Sequence, residues 1–142
     1  MMIKSTCTIT GAAAQAILTQ VYERACASGK PIFVAVVNGA GELVGLLAHE
    51  DAPGICRRIA QDKAYTAFAT RMRTSVWKSY VYGSPAEERE LMLRQERYIA
   101  AAGGCPIIVE GCVAGAVGVS GAGQEDDEAL AEFGAALAAA AQ

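Results

Sequence analysis

Apolar positions recur every four residues at Ala13, Ile17, Val21 and Ala25, which predicts a helix over Thr10 to Ser28 capped by Thr10. Ser28-Gly29-Lys30-Pro31 stops it. Ile32 to Val37 is apolar without a break and rich in β-branched residues, the pattern of a strand buried on both faces. Asn38-Gly39-Ala40-Gly41 is a turn, and Glu42 to Ala48 returns as a second strand, closing a first hairpin. After Asp51-Ala52-Pro53-Gly54, a helix is expected over Ile55 to Arg71. Cys56, Ala60, Lys63, Ala64 and Ala67 share one face of it, with Arg71 at the edge. A short helix over Thr74 to Tyr82 follows. Ser84-Pro85-Ala86-Glu87 then reads as a cap with proline at the first helical position, opening a helix to about Arg94.

Gly103-Gly104 leads into a strand over Cys105 to Val109, a tight turn at Glu110-Gly111, and a return strand over Cys112 to Val119. Gly115 and Gly118 inside that strand imply close approach of a backbone or a ligand. Beyond Ser120-Gly121-Ala122-Gly123, a last helix spans Glu125 to Ala140. The acids at its start suit the positive end of a helix dipole. The order helix, hairpin, helices, hairpin, helix predicts one α/β (α+β) domain over residues 1–142, with both hairpins in one antiparallel sheet covered by helices.

Composition narrows the function classes. The 142 residues suffice for one core without metal or disulfide staples. Net charge is -3, and Lys and Arg form no long run, so a nucleic-acid surface is not expected. Apolar stretches are too short or too broken to span a membrane, and the first residues lack a signal peptide's plan, so a cytoplasmic location is expected. The five cysteines show no CxxC spacing and are expected to be free thiols packed as small apolar residues, with no metal site.

Candidate chemistry is sparse. His49 is the single histidine, at a strand end beside Glu50 and Asp51, and is either a haem ligand or proton carrier or a half-solvated polar residue. Lys63 interrupts a small apolar helix face; it either pairs with an acid, snorkels or enters a pocket. Asp62, one residue away, faces elsewhere. Arg71 and Arg73 at a helix end suit a carboxylate. Gly103-Gly104-Cys105-Pro106 and Ser120-Gly121-Ala122-Gly123 offer backbone N–H groups to a ligand. Cys105 is a candidate nucleophile without an evident base, and Glu96 and Tyr98 are candidate pocket walls. The aromatics Trp77, Tyr80, Tyr82 and Tyr98 suit a cleft or, better, a subunit contact.

The ordered stretches Val36-Val37-Asn38-Gly39-Ala40-Gly41-Glu42-Leu43-Val44, Asp51-Ala52-Pro53, Ala60-Gln61-Asp62-Lys63-Ala64-Tyr65-Thr66-Ala67, Gly103-Gly104-Cys105-Pro106-Ile107 and Val117-Gly118-Val119-Ser120-Gly121 resemble the GlcG/HbpS family. The resemblance implies a profilin-like three-layer α/β/α sandwich. It also implies a small-molecule ligand, with haem as a candidate cofactor, and homo-oligomers with pockets near subunit contacts. The stretch Leu47-Ala48-His49-Glu50-Asp51 departs from the family pattern, so His49 is a candidate on its own chemistry; with it, Asp51, Lys63, Thr66, Gly103, Gly104, Cys105, Ser120 and Gly121 are the expected binding residues. The alternative is a cofactor-independent hydrolase, deaminase or isomerase acting on a small carboxylated metabolite. In it Lys63, Arg71 and Glu96 would carry catalysis.

Overall fold

A computed structural model describes residues 2–140. Its elements follow the expected order: α1 (Gly11–Ala27), β1 (Phe33–Asn38), β2 (Leu43–Ala48), α2 (Cys56–Thr70), α3 (Thr74–Gly83), α4 (Ala86–Leu93), β3 (Gly104–Val109), β4 (Cys112–Ser120) and α5 (Gln124–Ala140). The two hairpins join through β1 and β4, giving one antiparallel sheet in the order β2-β1-β4-β3.

Alternation along β1 separates two cores. Val34 and Val36 face α1 and α5 in a cluster with Ile17, Val21, Val117 and Leu130. Phe33, Ala35 and Val37 face α2 and meet Cys56, Ala60, Ala64 and Ala67. The result is a three-layer sandwich with α1 and α5 on one face and α2 on the other. The small-residue face read from the sequence is the one α2 buries. It lies so close that a side chain at Gly118 would strike the Ala60 carbonyl and the Ala64 amide, both α2 backbone.

Beyond the β3 edge, α3 leans toward α5 through Arg73 to Glu132 at 2.6 Å, Lys78 Nζ to Gln124 Oε1 at 3.1 Å, and the Ser75 hydroxyl to Glu128. Thr10 caps α1 as expected, its Oγ1 accepting from the Ala13 amide at 3.1 Å.

Two expectations are corrected. Ser84 does not cap α4: it ends α3, its hydroxyl donating to the Tyr80 carbonyl at 2.7 Å, and extended Pro85 stands at the N-cap of α4. Nor are all five cysteines free. Cys7 and Cys112 form a disulfide, while Cys26, Cys56 and Cys105 remain thiols. The reason is topological. Ile9 N–H donates to the Ala114 carbonyl at 2.9 Å, so the N-terminal segment runs beside the start of β4 and brings together cysteines 105 residues apart.

Candidate functional site

Lys63 reaches across the end of the sheet. Its Nζ lies 3.1 Å from Asp127 Oδ2 and 3.0 Å from the Val119 carbonyl, and both Lys63 and Asp127 are 2 % exposed. The other Asp127 oxygen accepts the Ala122 amide at 2.9 Å. One lysine thus ties α2, the end of β4, the loop after it and the first turn of α5. Of the alternatives left open by the sequence, the ion pair is what forms. Asp62 is half-buried and pairs with exposed Arg58 at 3.0 Å.

Gly103 belongs to the same cluster. A side chain there would come within 2.7 Å of Lys63 Nζ and 2.9 Å of Asp127 Cβ. Gly104 lies under α2, where a side chain would run into the Lys63 carbonyl, and its amide donates to Thr74 Oγ1 at 2.8 Å. Ser120 is buried at the end of β4. Gly121 packs against the Pro31 carbonyl. Thr66 is also buried. Its Oγ1 accepts the Ile99 amide at 2.9 Å and donates to the Arg97 carbonyl at 3.0 Å, pinning the segment before β3 to α2.

Cys105 is 9 % exposed, and burial, followed by the nearby Glu132 carboxylate, pushes its thiol up to about 11. Only the thiolate is nucleophilic, so roughly 0.1 % of this group is reactive at pH 8. Iodoacetamide at pH 8 should therefore label exposed Cys26 far faster than Cys105 in the native protein, read by mass spectrometry of the peptides. Comparable rates would show that Cys105 is not held in this environment.

The remaining candidates stand apart. His49 stacks on Tyr22, ring centroids 6.2 Å apart, near a cleft of about 240 Å³ shared with Asp51 and Lys30. His49 Nδ1 accepts the Asp51 amide at 3.0 Å, which places the proton of the neutral ring on Nε2. Arg71 is exposed just past α2, and Glu96 is exposed in the segment after α4. The fold thus brings Lys63, Gly103, Gly104, Thr66 and Ser120 into one region and leaves His49 and Arg71 in separate clefts.

Asp127 and the α3 cleft complete the picture. Asp127 looked like one more dipole acid. The signal for it was spacing: Asp127, Leu130, Ala131, Gly134 and Ala138 fall on one helical face, all of it buried. A wide, open cleft of about 600 Å³ lies between α3 and the start of α5, lined by Ser75, Lys78, Ser79, Tyr82, Ala102 and Gln124. Tyr82 in its lining is exposed, as are Tyr80 on α3 and Leu91 and Leu93 on α4, a helix that buries no residue at all. Among the described residues, no group of three or more His, Cys, Asp or Glu is placed to hold a metal, and no helix is long and apolar enough to cross a membrane.

A four-stranded antiparallel sheet with α1 and α5 on one face and α2 on the other, its glycine-lined end tied by Lys63 and Asp127, defines a three-layer α+β class. The family model described as "Haem degrading protein HbpS-like" matches residues 9–136, and the chain belongs to this family. GlcG from Escherichia coli is 31% identical over 107 residues, covering 75% of this chain and 77% of that protein. A 15.0 kDa protein from the dhaT-dhaS intergenic region of Citrobacter freundii is 34% identical over 125 residues, 88% of either chain. Among solved structures, Klebsiella pneumoniae ORFY superimposes with a TM-score of 0.91 at 29% identity, covering 99% of this chain and 97% of its own. A PduOC–haem complex shares the fold, with a TM-score of 0.81 at 24% identity over 92% of this chain and 94% of that one.

Proposed function

We propose that this protein binds a small molecule in the α3 cleft, that a second copy of the chain roofs the cleft, and that haem is the ligand to test first. The observation that carries the proposal is the 600 Å³ opening lined by Tyr82 and Lys78, on a chain whose α3 and α4 also leave Tyr80, Leu91 and Leu93 exposed. Its volume falls within the range of ligand pockets, about 300 to 1,000 Å³, but its outer side is open, and the proposed second copy supplies the missing cover. Tyr82 offers a flat apolar face, and Lys78 a cation for a propionate or other carboxylate. The His49 cleft, at about 240 Å³, is too small to enclose a macrocycle within one chain, and the Asp51 amide already occupies Nδ1. An acid–base role for Lys63 has less support, because Asp127 and Val119 take up its ammonium.

Self-association through α3 and α4 fits their exposed apolar side chains, Tyr80, Tyr82, Leu91 and Leu93. Leu91 and Leu93 lie between charges of both signs, Glu87 to Glu90 with Arg89 on one side and Arg94 to Arg97 with Glu96 on the other, the mixed polar rim that an isologous apolar contact uses. Haem titrated into the protein at micromolar concentration should give a Soret band. Replacing Tyr82 and Lys78 together by alanine should weaken binding about tenfold, and His49→Ala should leave it unchanged. No spectral change with haem would contradict haem as the ligand. A band abolished by His49→Ala would move the site to the other edge of the sheet.

A further inference from the structure

We propose a second binding site, at the end of the sheet opposite the α3 cleft. It takes a small carboxylate that also carries a hydroxyl or amine. Arg71 anchors the carboxylate, and residues 4–6 form a wall latched by the Cys7–Cys112 disulfide.

The cleft there is about 380 Å³ and is bordered by Lys4, Ser5, Thr6, Arg71, Glu110 and Cys112, among others. Arg71 follows the last turn of α2 with φ 61° and ψ 23°, the left-handed conformation in which glycine is the usual residue. A side chain is strained in that backbone, yet the position carries a guanidinium. Arg71 is exposed, and neither it nor Lys4 has an acidic partner within 4.0 Å among the described residues. Glu110 on the facing rim also has positive φ, 51°. Among the described residues, three non-glycine residues have positive φ, and two of them, Arg71 and the hairpin-turn residue Glu110, border this cleft.

The charges specify the ligand. Arg71 and Lys4 suit a carboxylate, Arg71 in bidentate fashion. Glu110 and the negative end of the α2 dipole would repel a bare anion but accept a donor, so the complement is a molecule with both groups. An amino or hydroxy acid meets both conditions; a plain dicarboxylate meets one.

The wall is held by few contacts. Thr8 Oγ1 accepts the Gly39 amide at 2.8 Å, Ile9 N–H donates to the Ala114 carbonyl, and the Cys7 carbonyl fills the space where Gly39 would carry a side chain. The disulfide is the covalent link from this segment to the second hairpin. A dithiol reductant would deliver two electrons and two protons to it, leaving Cys7 and Cys112 as thiols and itself becoming a disulfide. Residues 4–6 would then lose their anchor to Cys112, a residue that borders the cleft.

Calorimetric titration of the oxidised full chain with aspartate, malate and succinate tests the site independently of haem. Aspartate or malate should bind more tightly than succinate, and Glu110→Gln should remove that preference. Arg71→Gly should weaken binding at least tenfold; glycine suits the left-handed backbone, so loss of the fold would not explain the effect. Reduction with a dithiol should weaken binding several-fold. No binding of any of the three acids at millimolar concentration, or unchanged affinity in Arg71→Gly, would overturn the site. Affinity unchanged by reduction would overturn the latch.

Discussion

Lys63→Met should destabilise the protein by about 3–5 kcal/mol, the range seen when one partner of a buried ion pair is removed. The variant leaves the Asp127 carboxylate 2 % exposed with no cation, and the Val119 carbonyl without its donor. Replacing both partners, as Lys63→Met with Asp127→Leu, should recover part of the loss, because two apolar side chains need no pairing. Recovery stays incomplete because the Ala122 amide loses its acceptor, at a cost of about 1–3 kcal/mol. Urea denaturation of the two single variants, the double variant and the parent measures the coupling. A single-variant loss below about 1 kcal/mol would mean that the pair does not hold this end of the sheet together.

Gly118→Ala should cost about 3 kcal/mol, the upper end for overpacking. The added methyl meets the Ala60 carbonyl and the Ala64 amide, which belong to helix backbone and cannot rotate aside. Helix α2 must lift from the sheet, opening contacts along Ala35, Ala116 and Ala64 together. Gly54→Ala is the control. Nothing lies within 4 Å of a side chain there, and its stability should stay within about 1 kcal/mol of the parent. If Gly118→Ala were as mild as Gly54→Ala, the helix would not sit as close to β4 as described.

How far the sequence spoke depended on how local each signal was. The period-four apolar positions of α1 and the unbroken Ile32 to Val37 run are local, and both elements stand where they were expected. The join between hairpins also followed, because two exposed hairpin edges in one domain gain most by pairing. What was not legible was contact between distant segments. Lys63 announced itself as a charge on a small apolar face, but its partner lies 64 residues away and was masked by three neighbouring acids. The Cys7–Cys112 bond was hidden in the same way, since one sulfur sits outside any regular element. Ser84 is ambiguous for a local reason: two helices share one short junction, and a hydroxyl there serves the first as readily as the second. The α3 cleft had no motif. Its lining comes from α3, the segment before β3 and the start of α5, and only the aromatic richness around Trp77 to Tyr82 pointed to it.

The central claim is that a second copy covers the exposed side chains of α3 and α4 and completes the ligand cleft. Sedimentation equilibrium on the full chain, compared with Leu91→Glu, tests it most directly. Leu91 is 60% exposed, so the substitution costs a single chain little stability. The parent should sediment as a dimer or larger, and the variant should shift toward the 14.7 kDa monomer. A parent that is monomeric at all concentrations, or an assembly that Leu91→Glu leaves intact, would contradict it.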